Sequence, residues 1–237
     1  AKKRAARAIV HLAQTPALHN VPLESWPGDD NAMWKAKIGW GNHDEVWEWS
    51  TRALAAISRI FQGANAYQLY QLSGLQTALE LMRYASGNRD IQMHGSRAVS
   101  GLMAYELAYY AQEAPQIVSG SALETLAQTL TNFPSDVQVV RAASRAVWVC
   151  VHLGKRFGAH TFVQQKIYEP LLVAMAHNSH DLKVIESCCG AVLAAAARDD
   201  DCAAQLLEAG VRDEVRDTLQ RVESVNYSGA FVNLKHW

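Results

Sequence analysis

The sequence predicts an all-α chain, a right-handed solenoid of about five stacked helical repeats, and three periodic markers carry that prediction. The first is a tetrad. Ala6-Arg7-Ala8-Ile9 recurs as Thr51-Arg52-Ala53-Leu54, Ser96-Arg97-Ala98-Val99 and Ser144-Arg145-Ala146-Val147, and in weaker form as Cys189-Gly190-Ala191-Val192. The steps between the shared alanines are 45, 45, 48 and 45 residues. The second marker is Asp44, Asp90, Asp136 and Asp181, spaced by 46, 46 and 45 residues. Each follows a helix-start signal (Asn42, Asn88, Pro134-Ser135, Ser179), where a short polar side chain can take up orphan backbone donors and an acid suits the helix dipole. The third is Gly74, Gly120 and Gly210, with Gln165 in the slot between, sixteen residues ahead of Asp90, Asp136, Asp181 and the successor expected at 226.

Each element follows from local pattern. From Asp136 onward, Val139, Ala142, Ala143, Ala146, Val147 and Cys150 recur at three- and four-residue intervals, which is one buried helical stripe. Ala53, Leu54 and Ile57 form the same stripe two modules earlier, and Ala98, Val99 and Leu102 form it in the module between. Small alanines let helices approach closely, and the branched neighbour fills the gap. A second amphipathic helix is expected before each of these, at about Tyr70–Tyr84, Ser121–Thr131, Phe162–Ala176 and Cys202–Arg221. Short third helices are expected near Ala111–Val118 and Arg198–Leu206. Period-2 alternation is scarce, so no strand is expected.

Composition agrees. Hydrophobic residues make up 49% of 237 residues with only six prolines, enough apolar material for a sizeable helical core. A net charge of −1 argues against nucleic acid as a partner. No apolar run is long enough for a membrane span. Cys150, Cys188, Cys189 and Cys202 fall in apolar helical stretches and read as small buried hydrophobes. That points to an intracellular, reducing compartment, cytoplasm and organelle matrix alike.

With the repeat in view, the chain resembles the armadillo family, whose helical logic is shared with HEAT repeats. The residues that carry the likeness are Asp136-Val137-Gln138 through Ala146-Val147, and Asp90-Ile91-Gln92 through Ala98-Val99 and Leu102. Both are similar to the family's third helix. Glu208-Ala209-Gly210-Val211 and Ser119-Gly120 are similar to the glycine ahead of its second helix. The resemblance spans Ala1 to about Val222. It implies a groove, lined by third helices, that binds an extended peptide or a partner domain. Nuclear-import adaptors of this family carry tryptophan and asparagine ladders there. In this chain those slots hold Arg7, Arg52, Arg97, Arg145 and Gly190, and His11, Ala56, Gly101, Val149 and Ala194, so import-adaptor function is not implied.

The arginines form the sharpest functional pattern. Guanidinium groups one module apart, at a helix spacing of about 10 Å, would make a track for carboxylates. The competing reading is internal pairing, for example Arg52 with Glu48 one turn earlier, with each stem covering an alanine. Trp26, Trp34, Trp40, Trp47 and Trp49 crowd a short stretch beside Pro22, Pro27 and Gly28. They suggest an irregular aromatic insert at about 20–42 that either docks a partner or plugs the stack. Candidate partner-binding residues are therefore Arg7, Arg52, Arg97, Arg145, Trp148, Trp47 and Trp49.

Catalytic, metal and cofactor residues are expected to be none. His177-x-x-His180-Asp181 has ligand residue types but reads as a capped turn, and Asp199-Asp200-Asp201 as a solvated helix start. Adjacent Cys188 and Cys189 point in different directions on a helix. No phosphate loop or nucleophile elbow is present.

The expected organisation is one repeat domain over 1–225 and an extended tail over 226–237, in which Asn226 to Trp237 lack the alanine stripe. The basic Ala1–Arg7 stretch has the composition of a transit-peptide end, but its register matches a third helix. The first repeat is therefore expected to begin partway. The favoured function is a non-catalytic scaffold that binds a protein or an acidic peptide, as an accessory subunit of a larger assembly. The competitor is an enzyme or enzyme-regulating module with a site around His152, His160 and Trp148.

Overall fold

The computed structural model describes residues 51–52, 74–109 and 115–223, with side chains for 51–52, 74–103 and 120–221. Arg7, Trp47, Trp49, the insert expected at 20–42, the repeats before residue 51 and the tail at 226–237 lie outside the described residues. Among the described residues every regular element with a defined span is a helix: α1 Gly74–Tyr84, α2 Arg89–Tyr109, α3 Pro115–Asn132, α4 Val137–Leu153, α5 Lys155–Gln164, α6 Tyr168–His177, α7 Leu182–Ala196, α8 Asp200–Glu208 and α9 Val211–Glu223. The all-α expectation holds for these residues.

The helices form two rows. In one, α1, α3, α6 and α9 pack each on the next; in the other, α2 packs on α4 and α4 on α7. The short helices α5 and α8 lie against each other, and α5 also meets α3 and α7. Between the rows runs one core, with Leu123, Leu126 and Leu130 from α3, Leu171 and Met175 from α6, Val140, Ala143 and Val147 from α4, and Val184, Cys188 and Val192 from α7. Ala98, Ala146 and Ala191 are completely buried, and Val99, Val147 and Val192 beside them nearly so. Equivalent positions therefore share equivalent environments, as a repeating stack requires.

The caps set the register. Oδ1 of Asn88 accepts the N–H groups of Asp90 and Ile91 at 3.0 and 3.1 Å. Oδ1 of Asp136 accepts those of Gln138 and Val139 at 3.0 and 3.1 Å. Oδ1 of Asp181 accepts those of Lys183 and Val184, both at 3.1 Å. In each case the buried alanine follows the cap by ten residues. The aspartate marker is thus one step less regular than expected: Asp136 and Asp181 are caps, whereas Asp90 sits in the first turn behind Asn88.

A second periodic device ties module to module. Nδ2 of Asn132 donates to the Ser86 carbonyl at 3.1 Å. Forty-six residues on, Nδ2 of Asn178 donates to the Pro134 carbonyl and to its own helix at Ala174, each at 2.8 Å. Buried Gln92 ties α1 to α3: its Nε2 donates to the Met82 and Ala85 carbonyls at 2.7 and 3.0 Å, and its Oε1 accepts Thr129 Oγ1 at 2.6 Å. These side-chain bonds add to the backbone bonding at the helix ends, where carbonyls lack intrahelical partners.

Three helix boundaries differ from expectation. The stretch Phe162–Ala176 is split between α5 and α6, because Lys166 takes a left-handed φ of 52°. There the Ile167 N–H bonds the Phe162 carbonyl at 2.9 Å and the Lys166 N–H bonds that of Val163 at 3.0 Å, a Schellman ending. Cys202–Arg221 is likewise split into α8 and α9 at Gly210, φ 73°. The structural partner of Gly210 is therefore Lys166, not Gln165. Gly120 lies inside α3 rather than ahead of a helix, since Pro115, pre-set for a first helical position, starts one continuous helix through the segment. The short helix expected near Ala111–Val118 is thus no separate element over Pro115–Val118.

Candidate functional site

The open face of the α2–α4–α7 row follows from the stripe opposite the buried alanines. On α2 it carries Asp90, His94 and Arg97, all partly exposed. On α4 it carries Gln138, Arg141, Arg145, Trp148 and His152, and on α7 Lys183, Glu186, Gly190 and Leu193. Helical spacing of three and four residues places each set on one side of its helix.

Among the expected arginines, three different environments are present. Arg52 pairs with Asp90, Nη2 to Oδ2 at 3.6 Å, an inter-module contact, while Glu48, its expected partner one turn earlier, lies outside the described residues. Arg97 is half-buried. Arg145 is exposed and has no ion pair or hydrogen bond among the described residues. His94 lies on this face beside Arg97 and Arg52. Partial burial, then Arg97 and Arg52, lower it to about 4 against the opposing pull of Asp90. His94 is therefore neutral at pH 7.

Two other arginines are tied to the cap aspartates. Nε of Arg89 donates to Oδ2 of Asp136 at 2.6 Å, and Nη1 to Asp90 at 2.9 Å. Nε of Arg141 donates to Oδ2 of Asp181 at 2.8 Å, with a second bond from Nη2 to the same oxygen. Desolvation alone would raise both carboxyls, but the arginine and two backbone N–H donors hold each below the ordinary carboxylate range. So the internal-pairing expectation applies to Arg89 and Arg141, which were not among the expected binding residues, and in part to Arg52.

Trp148 lies partly buried on α4 and covers Gly190 on α7. A Cβ built at Gly190 would stand 2.8 Å from Cε2 and 2.9 Å from Cδ2 of that indole. The arginine of the tetrad gives way to glycine here because the ring occupies its space. Trp148 is thus a packing residue that stays partly exposed. His177 is exposed, its Nδ1 3.4 Å from Ser135 Oγ, and His180 is exposed beside it.

A second grouping joins α5 to the start of α8. His160 Nε2, a carboxylate oxygen of Asp199 and Cys202 Sγ lie within 4.8 Å of one another. Oδ1 of Asp199 accepts the Asp201 N–H at 3.0 Å and caps α8, leaving Oδ2 facing His160 at 3.2 Å and Arg156 Nε at 2.5 Å. Burial raises the Cys202 thiol, with Asp199 and Asp201 adding to the effect. The other three cysteines are also free and buried. Burial pushes Cys189 up to about 12 and Cys188 higher than usual, so neither is a nucleophile at neutral pH. Of the enzyme alternative, only His160 joins a cluster of reactive groups; the His152 carbonyl accepts from Arg198 at 3.5 Å.

No protein-family model and no curated protein matches this chain. One solved structure, described as the crystal structure of an engineered protein, is similar over 91% of this chain and 94% of its own, at 14% identity and a TM-score of 0.44. That likeness is too loose to argue from. No described helix is long and apolar enough to cross a membrane.

Proposed function

We propose that the chain is a right-handed, armadillo-like solenoid that acts as a non-catalytic scaffold, holding an extended acidic peptide or the acidic segment of a partner protein across α2, α4 and α7. One observation carries this reading above the others: Arg97 and the exposed Arg145 occupy matching positions on adjacent helices, on the face where Arg97 and Arg52 help depress His94. Guanidinium groups suit carboxylates because two parallel N–H bonds match two oxygens. The partly exposed Trp148 adds aromatic surface on the same row. Role as an accessory subunit in a reducing compartment fits the four free, buried cysteines.

Fluorescence anisotropy with a labelled peptide of alternating glutamate and small residues tests the proposal. Binding is expected to weaken steeply with salt and to be lost in the double variant Arg97→Glu, Arg145→Glu, while the melting temperature stays close to that of the parent. Bound acid also raises the His94 pKa, so the peptide should shift the His94 ring titration upward by nuclear magnetic resonance. Unchanged affinity in the double variant would falsify the proposal.

A further inference from the structure

The cluster on α5 and α8 is not something the repeat demands. Forty-five residues before His160, Asp199 and Cys202 stand Pro115, Gly154 and Phe157, none of them bearing a metal-binding group. Gly154 caps α5 with no side-chain bond at all, so a short helix in this stack starts without an aspartate. Asp199 also caps α8 and Cys202 is buried in the core, yet the corresponding junction one module earlier is built without any of the three ligand types.

Their geometry is convergent. Arg156 Nε stands 2.5 Å from Asp199 Oδ2 and 3.4 Å from His160 Nε2, so a carboxylate lone pair and an imidazole lone pair aim at one cation. The Asp199 side chain is 7% exposed and that of His160 30%, whereas that of Arg156 is 72% exposed. The acceptors are held by the fold; the cation they hold is a loose surface side chain. With its cation this exposed, the pair holds Arg156 loosely, and the guanidinium can swing out into solvent.

We infer that His160 Nε2, Asp199 Oδ2 and Cys202 Sγ form a three-ligand zinc site, with a fourth position open to water. This goes beyond the scaffold reading and does not rest on it. Tetrahedral zinc with bonds of about 2.0–2.3 Å separates its ligands by roughly 3.3–3.7 Å. The 3.2 Å between Nε2 and Oδ2 is already close to one edge of that tetrahedron, and Cys202, within 4.8 Å, closes the others by a small side-chain movement. A mixed sulfur, nitrogen and oxygen set suits zinc better than magnesium or calcium, which take oxygen alone. On binding, the Cys202 thiol proton leaves to solvent and the Arg156 guanidinium swings out. Neutral His160 keeps its remaining proton on Nδ1. One carboxylate and one thiolate then balance the divalent ion.

The test titrates the full chain, reduced and without an affinity tag, with Co2+ and then displaces it with Zn2+. One equivalent should bind with a thiolate-to-cobalt charge-transfer absorption, and Zn2+ should abolish the band and raise the melting temperature. Cys202→Ser should remove the band. His160→Asn should weaken Zn2+ by more than the tenfold to hundredfold typical of changes outside the ligand sphere. Arg156→Gln, which removes the competing cation, should tighten it. Should Cys202→Ser fail to fold, the partly exposed His160→Asn decides alone. Absence of a saturable equivalent, a band that survives in Cys202→Ser, or Zn2+ affinity untouched by His160→Asn overturns the site. Peptide binding at Arg97 and Arg145 is unaffected by any of these results.

Discussion

The carboxylate of Asp181 serves two modules at once: Oδ1 closes the first turn of α7, and Oδ2 holds the guanidinium of Arg141 from α4 at 2.8 Å. Asp136 does the same one module earlier for α4 and Arg89 of α2. A helix start is thereby fixed to its neighbour, which couples local helix formation to stacking. Asp181→Ala should cost about 2–3 kcal/mol, from the lost cap and the lost ion pair together. Asp181→Asn keeps a good cap and should cost only about 1 kcal/mol, since Arg141 is substantially exposed. Urea midpoints of both variants, with Arg141→Gln completing a double-mutant cycle, check the split. Because both carboxyls are depressed in the fold, this stability is present above the ordinary carboxylate range and is lost as pH falls below about 4.

Gly190 and Trp148 give a second prediction. An alanine Cβ at position 190 would enter the indole's space at 2.8 Å, and a fused ring yields less easily than a flexible chain. Overpacking of this kind costs about 1–3 kcal/mol, against about 1 kcal/mol gained from replacing a mid-helix glycine. Gly190→Ala should therefore be destabilising by about 1 kcal/mol. Combining it with Trp148→Leu should be less costly than the sum of the two, as read from denaturant midpoints. Strict additivity would show that the ring does not rest on residue 190.

What the sequence disclosed, and what it hid, follows from which features must repeat. Ala98, Ala146 and Ala191 meet the same close helix approach in every module, so the fold imposes them at a fixed phase. The arginine partners of the caps obey no such phase: Arg89 is the first residue of α2, whereas Arg141 is the fifth of α4. Either reaches its aspartate, and no periodicity betrays them. Asn132 and Asn178 do keep a period, yet asparagine at a helix end is common enough to pass unnoticed. His160, Asp199 and Cys202 come from two helices 39 or more residues apart, so only the packing of α5 on α8 assembles them. Arg145 was legible in the tetrad and is exposed. Trp148 was legible too, although its burial against Gly190 was not.

The break between α5 and α6 leads to a stabilising prediction. Lys166 adopts φ 52° where the equivalent position in the next module is Gly210 at φ 73°. A side chain in the left-handed region costs about 1–2 kcal/mol, partly offset by the extra freedom glycine gives the unfolded chain. Lys166→Gly should raise stability by about 0.5–1 kcal/mol, or about 2–4 °C in Tm at the upper value. The lost contact between Lys166 Nζ and Glu169, 3.5 Å apart on the surface, subtracts little. Gly210→Ala should move Tm in the opposite direction by a similar amount. Calorimetry on the two variants compares them directly.

His94 yields the pH dependence. Its folded pKa of about 4 lies below the unfolded value of about 6.5, because the half-buried ring stands beside Arg97 and Arg52. Between those two values the unfolded chain binds a proton that the folded chain does not. Stability should therefore fall as pH drops from about 6.5 toward 4, and recover as pH rises again. Solvent around the half-exposed ring limits the loss to about 1–2 kcal/mol. His94→Gln, neutral throughout, should remove that slope while leaving stability at pH 7.5 within about 1 kcal/mol of the parent. Urea midpoints at pH 7.5 and 5.0 for both proteins measure the difference, and the other histidines cancel in the comparison. An acidic ligand on the arginine face neutralises part of the field that depresses the ring. It should accordingly flatten the same slope in the parent and do nothing further in His94→Gln, tying the titration to the face on which binding is proposed.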